Sequence, residues 1–462
     1  MRTTTKTVLA AASALAIMVA APVSAETLKS ALSAAFKNNP TLNAARAGQR
    51  ATNESVGIAK SARRPSLTAS GQLGTETSRT FNTAGFAAGT NNDVVLGSVG
   101  GSFQQNIFNG FQVSNDIRSA KASVKAGLEG LRNTEQSVLV LAVTAYSDVL
   151  RDREIVKLQE RDVQFSQEQV RAARAQAEVG EGTRTDVALA EADLAAALSA
   201  LAGAQADLRT SEASYREIIG HQPSSLSSKP VSAPGLPTSL SEAVKISQRE
   251  HPLIRSAQHS VDAGQFNVRS TEGTLLPSVT LNGSYQRSFQ TGVIDTNSDT
   301  AQVTADVTVP IFLGGSRFST IRQAKETVGQ LRIQVDENRR SIEQGVRSSW
   351  AALESATSQI KSARTNVRAS QIAVDGLIEE RKVGQATTLD VLTAQSNLIA
   401  AQISLSNALR DRVVASYNLL ASIGRFTGER ISIASASIVE PPSFHYEKVV
   451  DRWFGLRTPS GK

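Results

Sequence analysis

Val383-Gly384-Gln385-Ala386-Thr387-Thr388-Leu389-Asp390-Val391 decides the fold, because the chain carries it twice. The earlier copy reads Val179-Gly180-Glu181-Gly182-Thr183-Arg184-Thr185-Asp186-Val187. In each, a glycine ends a long helix-like run, and Thr and Asp open another. Glycine closes helices because it adopts the left-handed conformation without a Cβ clash, and Thr or Asp caps the next helix. Each copy therefore reads as the tip of a helical hairpin.

The copies lie 204 residues apart (384 − 180), and other pairs keep that spacing: Ile107 with Ile311, Gly110 with Gly314, Tyr146 with Trp350, Asp207 with Asp411, Gly220 with Gly424. Upstream the offset is 212, in Pro40 with Pro252 and Pro65 with Pro277. The chain is one half-molecule written twice, with eight extra residues (212 − 204) between Pro65 and Ile107 of the first half.

Each half has the same internal order. A helical stretch broken at Asn39-Pro40 or His251-Pro252 stops at Pro65 or Pro277, and the pattern then changes to period two. Leu67, Ala69, Gly71 and Leu73 alternate with Ser66, Thr68, Ser70 and Gln72, and Val95–Ile107 returns. In the second half Val279, Leu281, Gly283 and Tyr285 alternate with polar residues, and Val303–Ile311 returns. The pattern predicts two β-hairpins with loops over Thr75–Asp93 and Thr291–Thr300. The runs Gln112–Glu178 and Ser316–Lys382 contain no proline. Each would be about 100 Å long as a helix at 1.5 Å per residue. Shorter helices follow the tips, to about Ile219 and Ile423, with Val187, Leu194, Leu198, Leu201 and Leu208 forming an alanine-flanked seam.

The expected organisation is a signal peptide (1–25), a first repeat (26–220), a Pro/Ser-rich linker (221–240), a second repeat (241–424) and a C-terminal tail (425–462). Arg2 and Lys6, the apolar run Val8–Ala21 and Val23-Ser24-Ala25 compose the leader. After it, no stretch reads as the roughly 20 apolar residues of a membrane helix. The tail carries Pro441-Pro442 and an aromatic pair, Trp453-Phe454, able to dock on the body.

Composition excludes several functions. With no cysteine there is no disulfide, thiolate site or lipid-modified N-terminus. The net charge of +7 falls to +5 without the two basic residues of the leader (7 − 2), and no basic stripe with interleaved aromatics points to nucleic acid. His221, His251, His259 and His445 are dispersed. His251 and His259 lack a third ligand, so no metal site is read. No nucleophile, paired-acid or phosphate-loop motif stands out. The chain is read as a non-enzyme with no cofactor.

A strand of about ten alternating residues, in an exported chain with no membrane helix, fits an outer-membrane barrel. Four strands cannot close one, and an open edge in lipid leaves backbone groups costing several kcal/mol each. Copies of the chain must complete it: two copies give eight strands, and three give twelve with room for a lumen.

These features together resemble the TolC family of outer-membrane efflux and secretion channels, most nearly its alphaproteobacterial BepC-like branch. The match rests on the paired Asn39-Pro40 and His251-Pro252 starts, the duplicated hairpins and the Val-Gly-x5-Asp-Val tips, and it covers essentially the whole mature chain. The resemblance implies a mixed α+β membrane protein. Long α-helices form a coiled-coil barrel, and four strands per chain enter a twelve-stranded trimeric transmembrane β-barrel in outer-membrane lipid. It implies a homotrimeric passive duct for multidrug efflux or type I secretion, docked to a periplasmic adaptor (membrane fusion) protein and an inner-membrane pump or ABC transporter. A periplasmic adaptor or a secreted helical structural protein is the alternative, and the duplication and the membrane-like strands oppose both.

The family's periplasmic gate maps onto the tips in part. Its first-tip aspartate falls on Asp186, with Thr185 before it, and its first selectivity aspartate falls on Asp390. The second acidic position falls on Thr393, the gate arginine on Ala386 and the gate tyrosine on Arg381. One acidic ring, from Asp390, is expected instead of two, and Arg381 is a candidate partner for Asp186 of a neighbouring hairpin. Helix capping alone also accounts for both aspartates.

Overall fold

The structure, a computed structural model, describes residues 25–80, 90–227, 232–291 and 296–433. The leader, the two β-hairpin ends, part of the linker and the tail beyond Ile433, with Trp453-Phe454, lie outside the described residues.

Each half runs helix, helix, strand, strand, long helix, helix. The first holds α1 (Leu28–Asn38), α2 (Pro40–Ser61), β1 (Ser66–Thr80), β2 (Thr90–Asn109), α3 (Gln112–Glu178) and α4 (Arg184–Ile219). The second holds α5 (Leu240–Glu250), α6 (Pro252–Gly273), β3 (Ser278–Thr291), β4 (Thr296–Thr308), α7 (Ser316–Lys382) and α8 (Thr388–Ser422). The 67-residue helices α3 and α7 are unbroken because nothing inside them removes a donor or reverses the chain. Both begin after left-handed turns, at Gly110 and Phe111 (φ 62° and 63°) and at Gly314 and Gly315 (φ 60° and 77°).

The four strands form one antiparallel sheet in the order β1-β2-β3-β4, with β2 and β3 joining the halves. The register sorts the side chains. Leu67, Phe103, Gly283 and Val303 form one cross-strand row, and Ala69, Gly101, Tyr285 and Ala301 the next on the same face. The opposite face carries Ser66, Gln104, Asn282 and Thr304, then Thr68, Ser102, Ser284 and Gln302. Thr68 and Ser102 hydroxyls pair there at 2.6 Å. One face suits lipid and the other water. Gly97 is required on the apolar face because the Phe289 ring lies across it, where a Cβ would come within 2.2 Å of ring carbons. β1 and β4 are edges, each with one strand neighbour.

The strands differ from expectation at their ends. Thr75–Thr80 and Thr90–Asp93 were expected as loop, yet they pair from Thr75↔Val95 to Thr80↔Thr90, and Thr296–Thr300 belongs to β4. Backbone pairing continues after the apolar alternation stops, because the ladder needs only N–H and C=O groups. In the other direction β4 ends at Thr308 instead of Ile311, since Pro310 has no N–H to donate.

The main core lies mid-length, where α1 packs on α3 and α4, α5 packs on α7, and the described linker residues and the segment after α8 join them. Leu32, Phe36, Leu139, Tyr215, Leu419 and Phe426 are among its buried residues. The linker is fastened to it. Glu26 and Leu226 form a β-bridge, the Tyr146 hydroxyl donates to the Glu26 and Ser227 carbonyls, and the Ala233 amide donates to Ser416 Oγ. Arg425 and Arg430 both donate to Glu250, and their charge and hydrogen bonds hold that carboxyl down at about 2.

One helix corrects the sequence reading. α4 is long and apolar enough to cross a membrane by length and composition, although only 17% of its most apolar window is buried. Its apolarity comes largely from alanine, and it packs along α3 as the second arm of a hairpin.

The two halves solve the same capping problem with different chemistry. Asn39 Oδ1 accepts from the Leu42 amide at the start of α2, and His251 Nδ1 accepts from the Leu253 amide at the start of α6. His251 is 6% exposed, and burial pushes its pKa down from 6.5 to about 4. Between those values the unfolded chain binds a proton that the folded chain refuses, so stability falls as pH drops from 6.5 to 4. His251→Asn should keep the cap and remove this loss, on the order of 3 kcal/mol for a shift of about 2.5 units. Melting curves of the detergent-solubilised protein at pH 7 and 4.5 will check this: the variant should lose less stability on acidification than the parent.

Candidate functional site at the hairpin tips

Each tip is built by the same few bonds. Past α3, Gly180 turns left-handed (φ 78°), and the Glu181 and Gly182 amides both donate to the Gln176 carbonyl, at 2.9 and 3.0 Å. Thr183 then caps α4. Its Oγ1 accepts from the Asp186 amide at 3.1 Å, while Asp186 Oδ2 accepts from the Thr183 amide at 3.1 Å and from its hydroxyl at 2.6 Å. In the second tip Gly384 (φ 75°), Thr387 and Asp390 repeat the pattern, with 3.2, 2.9 and 2.6 Å for the same three bonds. These reciprocal capping boxes satisfy orphan helix donors. They hold both carboxyls below the usual aspartate value, chiefly through the Thr hydroxyl, so both are ionised at neutral pH. Asp390 is exposed at the end of its hairpin, and so is Thr393, one turn further along.

The tips also touch each other within the chain. The Thr388 hydroxyl, on the second hairpin, lies near Asp186 of the first and adds slightly to the lowering of its pKa, after the Thr183 bonds. Arg381 does not pair with an aspartate: its Nη1 donates to Gln169 Oε1 of α3 at 2.7 Å. Thr185 is exposed and Ala386 half-buried, and neither is part of this joint. Higher up, Gln395 Nε2 donates to Asp162 Oδ1 at 3.0 Å, and Arg410 donates twice to Asp148, at 2.8 and 3.3 Å. The interior of each hairpin is apolar instead. Val170, Ala173 and Ala190 fill the first, and Val374, Ala394 and Leu398 the second.

Sequence reasoning missed Gln169, Asp162, Gln395 and Thr388. A seven-residue step separates Asp162 from Gln169, which places both on one face of α3. That periodic polar stripe was the available signal.

A long double hairpin with a polar joint, standing below a two-faced sheet with open edges, matches a known group. The family model described as outer membrane efflux protein covers residues 31–221 and 244–425. The chain belongs to this family. Outer membrane efflux protein BepC of Brucella suis is 42% identical over 439 residues, 95% of this chain and 93% of that protein. The alkaline protease secretion protein AprF of Pseudomonas aeruginosa is 24% identical over 65% of this chain and 64% of its own length. Among solved structures, the Campylobacter jejuni CmeC outer membrane channel superposes with a TM-score of 0.75 at 18% identity, covering 91% of this chain and 88% of that one.

The TolC-family resemblance read from the repeats is this same family. As an outer membrane efflux protein, the chain is a transport channel subunit in the outer membrane of a Gram-negative bacterium, with its long helices in the periplasm. The adaptor and filament readings are set aside.

Asp162 marks where the polar joint is under tension. Burial is the main cause that raises its pKa, Gln395 opposes it, and the nearby Asp193 adds to it. A carboxyl whose folded pKa is raised costs stability once ionised, and the cost disappears as pH falls through the raised value. Asp162→Asn should therefore increase the melting temperature at pH 7, with the gain shrinking on acidification. An equal gain at pH 7 and pH 4 would show that Asp162 carries no such cost.

Proposed function

We propose that three copies assemble into a passive export duct, with twelve strands closing the barrel and the helical hairpins forming a periplasmic tube gated at its tips. The observation that carries this reading is the two-faced four-stranded sheet with unpaired edges at β1 and β4. In hydrocarbon each unsatisfied backbone group costs several kcal/mol, so β1 of one copy must pair with β4 of the next. Three copies give twelve strands, enough for a lumen lined by the Ser66/Gln104/Asn282/Thr304 face. The work is conduction, with no bond made or broken. At the inner end the duct docks to a periplasmic adaptor protein and an inner-membrane pump or ABC transporter, as the names of its efflux and secretion relatives suggest. Outer-membrane extracts run with and without heating test the assembly: a heat-sensitive band at three times the chain mass supports it, and a monomer under both conditions refutes it.

The gate is assigned to the tips. Threefold symmetry sets Asp390 around the mouth as one acidic ring, with Thr393 in the second ring position and Asp186 held in its capping box by Thr183. Ionised carboxylates at a narrow mouth attract cations. Arg381 and Gln169 act as a latch between the two hairpins of one chain, with Thr185 beside Asp186 in the adjoining turn.

Planar-bilayer recordings test these roles separately. Asp390→Ala should lower cation preference and weaken block by multivalent cations while the trimer survives, and Thr393→Asp should strengthen both. Arg381→Ala and Gln169→Ala should raise resting conductance to similar extents, since each removes the same bond. If Asp390→Ala leaves selectivity unchanged and only destabilises the fold, that residue is a cap and the ring reading fails.

A further inference from the structure

An apolar cleft of 460 Å³ lies where the two hairpins meet, and the tip chemistry does not use it. Leu150 and Leu158 of α3 face Leu405 and Leu409 of α8 across it, with Leu28 and Val413 at its upper end. Leu405 and Leu409 are half-buried, four residues apart on one face of α8. Arg161 lines the cleft with no ion pair among the described residues.

The chain beyond the described residues supplies an occupant. It leaves the body at Ile433, which packs against the main core, and that core includes Leu28 and Val413 of the cleft itself. The lining along α8 runs from Gln402 to Val413, a rise of eleven steps (413 − 402), about 16 Å of helix. From Ile433 to Trp453 there are 20 residues (453 − 433), able to span roughly 66 Å when extended. In that tail Tyr446, Val449, Val450, Trp453 and Phe454 recur at i, i+3, i+4, i+7 and i+8, the spacing of one apolar helix face. Glu447 and Asp451 fall on the other face, with Lys448 and Arg452. Aromatic side chains bury about 150–250 Å² each, and left in water they would form an exposed apolar patch.

We propose that the C-terminal segment Tyr446–Phe454 folds back on its own chain and seats its aromatic face in the α3–α8 cleft, with an acidic residue of the segment meeting Arg161. The occupant spans both hairpins, since α3 belongs to the first and α8 to the second. This assignment is independent of the gate residues and of copy number.

The absence of native cysteine makes the test clean. Leu405→Cys with Phe454→Cys, in the full-length chain under mild oxidation, should form an intrachain disulfide. It would join the tryptic peptides 383–410 and 453–457. Thr210→Cys, on an exposed stretch of α4, paired with Phe454→Cys should not. A covalent dimer on non-reducing gels would overturn the proposal in favour of a neighbouring copy, and no linkage above the control would overturn it outright. Fluorescence gives a second reading, because Trp350 and Trp453 are the only tryptophans. In Trp350→Phe protein, Trp453 should emit as a buried indole. Adding Leu409→Gln should shift its emission to the red and make it severalfold more accessible to iodide. Emission typical of exposed indole in Trp350→Phe itself, or quenching by lipid-embedded quenchers instead of the cleft-dependent shift, would also refute the seat.

Discussion

Two strand edges that one chain cannot pair govern this protein. β1 and β4 each present a row of backbone donors and acceptors at the margin of a sheet whose other surfaces are sorted for lipid and water. A soluble sheet can leave such edges to solvent, but a lipid-facing one cannot. The protomer is therefore an arc, and its helices inherit that geometry. They are long and slender, and in α4 they are alanine-rich, with an apolar surface that its own chain leaves uncovered. A fat globular core would block the tube that the arc implies. Among the described residues the largest core sits at mid-length, where the short helices and the linker pack on the long ones.

A second division follows within the helical part. Contacts inside each hairpin include apolar clusters, worth roughly 25 cal/mol per Å² of buried apolar surface, beside polar pairs such as Ser166 with Asp193 and Arg174 with Glu191. Between the hairpins below the core, discrete polar bonds, Arg410 to Asp148, Gln395 to Asp162 and Arg381 to Gln169, stand beside the apolar α3–α8 cleft. Each such bond contributes about 0.5–1.5 kcal/mol net, because water replaces it when it breaks. The hairpins therefore behave as stiff units, and the joint between them is where separation is cheapest. A gate needs a boundary whose bonds water can replace when it opens, and the polar bonds below the cleft, Gln395 with Asp162 and Arg381 with Gln169, supply one.

The duplication, the hairpins, the long helices and the four strands were legible because each rests on a local, periodic signal. Glycine and proline mark ends, and alternation marks faces. The strand ends at Thr80 and Thr90 were not legible, because the ladder there continues through polar residues that carry no alternation. The capping boxes at Asp186 and Asp390 followed from Thr and Asp spacing alone. The joint did not, since Gln169 and Asp162 look like solvated coiled-coil positions until Arg381 and Gln395 are brought to them from more than 200 residues away. Within one chain Arg381 meets Gln169 instead, a pairing the sequence could not show, because it carries no information on which flank α7 turns toward α3.

Comparing the halves shows why the joint is not duplicated with everything else. At the 204-residue offset the caps recur, since every helix start needs one. The joint residues recur only in part. Asp148 corresponds to Ala352, Arg410 to Ala206, Gln169 to Ala373 and Arg381 to Ala177, whereas Asp162 corresponds to Asn366 and Gln395 to Glu191. By that same offset, the α3–α8 contact within one chain becomes the α7–α4 contact between neighbouring copies of the proposed ring. Two of the polar bonds inside the protomer, Arg410 with Asp148 and Arg381 with Gln169, therefore face alanine pairs at the equivalent boundary of the proposed ring, while the Asp162 and Gln395 positions stay polar there. Small residues allow close approach and offer no bond for water to replace. In the proposed ring the two kinds of boundary differ most at those two levels, and the divergence of these few positions is what breaks the symmetry between matching hairpins.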